Sequence, residues 1–139
     1  MAGFKAVGRL SGGGFTKVLV KAKDTETLSN GDIINIETGM GDLGATGDTA
    51  LVGPMVSATV AATTAVTDIE VIIDPDVILE TTDNNARVVG ATLDLTGATG
   101  AQGVTTSSNK EFIVVSASTA TQPTKVMFNT GHHLLNKAQ

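Results

Sequence analysis

Cysteine, tyrosine and tryptophan are all missing from this 139-residue chain. Without cysteine there is no disulfide framework, thiol nucleophile or thiolate metal site, and the redox compartment leaves no trace in the sequence. Four Phe are the only aromatics in a chain that is 41% hydrophobic, so the expected core is aliphatic and finely grained. A sugar-binding surface that stacks rings on Trp or Tyr is disfavoured on the same count. Residues 1–10 lack the apolar run of a signal peptide, and no stretch approaches the ~20 apolar residues of a membrane helix. The expectation is a soluble chain with no membrane partner.

Basic charge is absent over a long interval as well. Between Asp24 and Ala86 there are twelve acids and no Lys or Arg, whereas Lys5, Arg9, Lys17, Lys21 and Lys23 all precede Asp24. The first 23 residues therefore carry +5 and the remainder −10. An acidic body repels nucleic acid, and the leader has neither a dense basic run nor the interleaved aromatics of a strand-binding groove, so no nucleic-acid partner is expected. An acidic protein surface is the expected target of the leader.

What the chain does have is period-two alternation. Residues 15–23 place Phe15, Lys17, Leu19, Lys21 and Lys23 on one side of a strand and Thr16, Val18, Val20 and Ala22 on the other. Ser29-Asn30-Gly31-Asp32 is a turn, and residues 33–37 follow as a short strand that pairs back as a hairpin. Residues 39–48 read as a Gly-rich loop, and Pro54 breaks the strand at 50–62 or confines it to an edge. Further strands are expected at 66–73, with Ile69, Val71 and Ile73 buried, and at 77–81, 87–95, 111–117 and 125–130. Polar turns every ten or so residues, and no helix-period run, predict an all-β fold of low helix content, a small barrel or tulip-like domain over residues 15–139. Residues 1–14, ending in Gly12-Gly13-Gly14, predict a flexible basic N-terminal arm.

The motifs that could carry chemistry are weak. Gly39-Met40-Gly41-Asp42-Leu43-Gly44 has the spacing of a dinucleotide fingerprint, but no helical pattern follows to supply the phosphate-binding amides, and a surface loop is expected. No Gly-Lys-Ser/Thr phosphate loop and no Gly-x-Ser-x-Gly elbow occurs. His132 and His133 would point to opposite faces of a strand and read as ordinary terminal polar residues rather than metal ligands. Asp74, Asp76 and Asp83 read as turn formers. No catalytic set, cofactor or metal is expected, and the chain is read as a non-enzyme. Phe4, Leu10 and Phe15, placed among the leader's charges, are expected to anchor the arm on a partner together with Lys5 and Arg9.

The strings Ile73-Asp74-Pro75-Asp76-Val77-Ile78-Leu79-Glu80, Val88-Val89-Gly90-Ala91-Thr92-Leu93-Asp94-Leu95, Gly97-Ala98-Thr99-Gly100 and Gln122-Pro123-Thr124-Lys125-Val126-Met127 follow one another along the second half of the chain. In order and spacing they resemble the C-terminal half of tailed-phage capsid decoration (cement) proteins. There an Asp-Pro segment leads into a strand, a Gly-led strand and a Gly/Thr loop follow, and the chain closes on a Pro-led strand. The opening Met1-Ala2-Gly3-Phe4-Lys5 is also similar to starts in that family. The strand after the Asp-Pro departs from the pattern, having Val77-Ile78-Leu79-Glu80-Thr81 where an aromatic or Gln is common. The resemblance implies a β-barrel or β-tulip subunit on the outer surface of a virion, made in the host cytoplasm. Its implied partners are the major capsid protein and itself, as a homotrimer, and its implied role is to stabilise the expanded shell. The alternatives are another virion or surface β-module, such as a tail component or binding domain, and a small trimeric β-barrel hydrolase of the dUTPase kind, whose Tyr-containing motif is missing.

Overall fold

The structure, a computed structural model, describes residues 3–60 and 67–136. Eleven strands and one 3-10 turn, Leu134–Asn136, account for the regular structure of the described residues, so the chain is all-β. In chain order the strands are β1 (Lys5–Arg9), β2 (Lys17–Lys21), β3 (Ile33–Glu37), β4 (Met40–Leu43), β5 (Leu51–Pro54), β6 (Asp68–Ile72), β7 (Val77–Thr81), β8 (Thr92–Thr96), β9 (Gly103–Thr106), β10 (Phe112–Ser116) and β11 (Thr124–Phe128). They form a six-stranded sheet in the order β1-β7-β11-β10-β8-β9, a two-stranded sheet β2-β6 and a three-stranded sheet β4-β3-β5, all with antiparallel ladders.

The three-stranded sheet divides two cores, and the period-two rule shows how. Adjacent residues of a strand point to opposite faces. Ile33 and Leu51 belong to one buried cluster with Leu79, Leu95, Phe112 and Val126. Their chain neighbours Ile34 and Val52 belong to the other, with Ile69, Val71, Met55 and Leu28. A sheet covered on both faces needs continuous apolar runs rather than alternation, which is why Ile33-Ile34 and Leu51-Val52 are both doublets. Close packing also fixes two glycines. A Cβ on Gly53 would lie 2.3 Å from the Ile72 carbonyl oxygen, and one on Gly41 would lie 3.1 Å from both Ile34 and Ile69.

The expectation of a barrel is corrected. The six-stranded sheet stays open, and among the described residues the two small sheets are joined in the backbone ladder by the single bridges Ala22 to Gly41 and Met55 to Val71. The expected hairpin of β2 with β3 does not form either. β2 pairs with β6, and β3 takes β4 and β5 as neighbours. Part of the expected Gly-rich loop is strand β4, so the fingerprint-like glycines open no helix.

The flexible arm expected of residues 1–14 is corrected over the residues the structure describes. Phe4-Lys5-Ala6-Val7 alternates like any strand, and β1 pairs with β7 across a bulge between Ala6 and Gly8. Phe4 is only 4% exposed, and its amide donates to the Gly31 carbonyl at 2.8 Å. The core is also less aliphatic than expected. Phe4, Phe112 and Phe128 follow one another with centroids 5.3 Å apart, and His133 meets Phe128 edge-on at 5.0 Å.

Candidate functional site

The +5 leader is mostly neutralised by the chain's own acids. Arg9 Nε donates to Asp76 at 2.9 Å, and its guanidinium lies 3.5 Å from Asp74. Lys21 pairs with Asp68 at 2.7 Å, and Lys23 pairs with Glu37 at 3.1 Å and Asp42 at 3.6 Å. Asp74 and Asp76 are therefore more than turn formers. Asp74 accepts the Thr16 amide at 2.6 Å, and Asp76 accepts the Ser11 amide at 3.0 Å as well as the Ser11 hydroxyl. The Ser11 hydroxyl and Arg9 hold the Asp76 carboxyl down at about 2. Between them these carboxylates fasten the β1–β2 connection, whose Gly12 and Gly13 take φ angles of 78° and 84°.

Two leader cations stay uncommitted. Lys5 and Lys17 are exposed and form no ion pair among the described residues. Because β1 joins the six-stranded sheet and β2 the two-stranded one, the strands splay apart and leave a groove of about 470 Å³ between them. Ala6, Phe15, Pro54 and Val56 supply its apolar lining, and Lys5 and Lys17 stand in its walls. No carboxylate lines it among the described residues. Lys5 and Ala6, consecutive and thus on opposite faces of β1, both touch the groove, so it follows the strand's edge. That edge carries no ladder or bridge among the described residues, since β1 ends the six-stranded sheet.

Of the five residues the sequence proposed for partner contact, the structure brings three to this groove. Lys5 and Phe15 are accessible there, and Phe4 lines it from within the core, where it holds β1 rather than offering an anchor. Arg9 is bound to Asp74 and Asp76, and Leu10, 70% exposed, lies beyond the groove in the β1–β2 turn. Sequence reasoning missed Lys17, Pro54 and Val56. Lys17 shares a face of β2 with Lys21, and only the missing acid neighbour distinguishes the two.

The remaining candidates are structural. His133, expected to be an ordinary polar residue, is fully buried, and its Nδ1 accepts the Leu135 amide at 3.1 Å. Burial pushes its imidazole down to about 4, so the ring is neutral at pH 7. His132 Nδ1 lies 2.9 Å from the Asp48 carbonyl. Asp83 pairs with Arg87 at 2.6 Å. Asp94 receives the amides of Ser108, Asn109 and Lys110. Burial raises the Asp94 carboxyl, but those donors outweigh it and leave it at about 2. No group of three or more His, Asp or Glu among the described residues is placed to hold a metal.

No protein-family model matches the chain, and no curated protein matches it. Among solved structures the chain is similar to the N base of the head fiber gp8.5 of bacteriophage phi29. The identity is 14%, over 89% of this chain and 99% of that one, with a TM-score of 0.49. A likeness at that level assigns no family.

Proposed function

We propose that this chain is a structural virion protein that docks on the outer surface of a phage capsid and stabilises the expanded shell. The observation that carries the reading is the groove between β1 and β2, where the two unpaired leader cations flank an apolar lining beside a free strand edge. The resemblance of the second half of the chain to decoration proteins supplies the partner. An extended, acidic segment of the major capsid protein adds along β1, its backbone on the strand edge, an apolar side chain against Phe15 and Val56, and its carboxylates between Lys5 and Lys17. Binding to the assembled shell but not to free subunits shifts the equilibrium toward the intact particle.

The test is to pellet the purified chain with expanded capsids that lack it, then heat the particles. Saturable binding together with a raised disruption temperature is the expected result. A chain that stays in the supernatant at every concentration would end the proposal.

A further inference from the structure

The outer face of the six-stranded sheet is too apolar for a solvated surface. An antiparallel sheet with one face in water alternates apolar and polar residues. Here three neighbouring strands carry unbroken apolar runs, Val77-Ile78-Leu79, Val126-Met127-Phe128 and Phe112-Ile113-Val114-Val115. In each run one set of side chains fills the core and the intervening set, Ile78, Met127 and Ile113, faces outward and is half-buried. Doublets of this kind, Ile33-Ile34 and Leu51-Val52, mark the sheet that this protein covers on both sides.

The register gives the outward face a symmetry. Met127 pairs with Ile113, and the β7–β11 ladder places Ile78 on the other side of Met127. The β1 bulge sets Val7, 41% exposed, against Ile78. The apolar row thus reads Val7, Ile78, Met127, Ile113 across β1, β7, β11 and β10. One step along the strands, Glu80 stands in register with Lys125 on one side and with Lys5 of the edge strand on the other. None of the three forms an ion pair within the chain among the described residues.

We infer that two copies of this chain pack these faces together about a two-fold axis running along the strands between β7 and β11. That operation lays Ile78 on Met127 of the second copy, Val7 on Ile113, and Glu80 on Lys125, so apolar meets apolar and the central charges meet their opposites, while Lys5 at the rim falls on Ser116. A partner of different sequence would have no reason to match a face that is complementary to itself. The face meets the groove only at Lys5, on its rim, and shares none of Ile78, Glu80, Ile113, Lys125 and Met127 with it, so the inference is independent of whether the chain binds a capsid. Four strands about 4.8 Å apart and five residues long present roughly 300 Å² per copy, well under a standard interface, so the pair is weak and concentration-dependent.

Sedimentation of the full chain up to about 1 mM, the range in which so small an interface associates, tests this. The wild type should pass from one copy to two. Glu80→Lys and Lys125→Glu, each shown folded by circular dichroism, should both stay single, because like charges then face each other across the axis. An equimolar mixture of the two variants should recover the two-copy species, since every cross-copy pair is again opposite in sign. A wild type that stays single throughout, variants that associate like the wild type, a mixture that does not recover, or a three-copy assembly as the smallest oligomer would each overturn the inference.

Discussion

Replacing Phe4 by Ala separates a structural first strand from a loose leader. The Phe4 ring is 4% exposed and lies 5.3 Å from Phe112, in the cluster that also holds Phe128 and Leu79. Truncating a buried Phe costs about 3–5 kcal/mol in lost transfer energy and residual cavity. At about 2.1 cal/mol/K per residue, 139 residues unfold with an entropy near 0.3 kcal/mol/K, so the melting temperature should fall by roughly 10–17 °C. Leu10→Ala is the internal control, because Leu10 is 70% exposed and a surface truncation stays within about 0.5 kcal/mol, or ~2 °C. Calorimetry on the three proteins decides the matter. A Phe4→Ala protein that melts within ~2 °C of the wild type would refute the packing of β1 on β7, and residues 3–9 would then be a loose leader.

Three further substitutions probe other parts of the account. Gly53→Ala places a methyl group 2.3 Å from the Ile72 carbonyl oxygen, which forces β5 and β6 apart, and urea denaturation should register a loss of about 2 kcal/mol or more. Asp94→Asn leaves one amide oxygen to serve the three backbone donors of residues 108–110, so stability at pH 7 should drop by about 2 kcal/mol, and urea melts that coincide with the wild type would contradict that role. The hydrogen bond to Asp42, then burial, raises the Glu26 carboxyl to about 7, so folding takes up a proton there. Stability from this group is complete below about pH 4.3 and declines as pH rises toward 7. Glu26→Gln should flatten that part of the pH profile and stand above the wild type at pH 8. A wild-type profile flat from pH 4.5 to about 7 would contradict the raised Glu26 carboxyl.

Much of the strand content was legible because it rests on local alternation. Residues 33–37 and 77–81 form strands with the expected bounds; in residues 66–73 Ile69 and Val71 are buried as expected, but Ile73 is only half-buried and Ile72, from the opposite side, fills the other core. Pro54 ends an edge strand beside a bulge, as its missing N–H requires. Residues 61–66, at the ends of two expected strands, lie outside the described residues. Strand pairing was not legible, since the partner of β2 lies some fifty residues away and the turn at Asn30-Gly31 suggested a nearer one. β1 was misread because Gly8 and the glycines at 12–14 signalled freedom, whereas the long-range contacts of Phe4 with Phe112 and of Arg9 with Asp74 and Asp76 fix the segment. Half of the site was visible as basic residues among Phe side chains. The other half depended on which cations the fold leaves unpaired, and that is decided by residues such as Asp68, Asp74 and Asp76, far along the sequence.

The central claim, that the chain meets a capsid through Lys5 and Lys17 in the groove, is tested most directly by binding isotherms on expanded capsids at low and high salt. The wild type, a Lys5→Glu/Lys17→Glu double variant and Leu10→Ala should be compared once each is shown to melt normally. The account predicts that the double variant binds at least about tenfold more weakly at low salt, with a gap that narrows as added ions screen exposed charges. Leu10→Ala, which leaves the groove untouched, should bind like the wild type. An unchanged isotherm for the double variant, at either salt concentration, would contradict the claim and move the contact to another face of the protein.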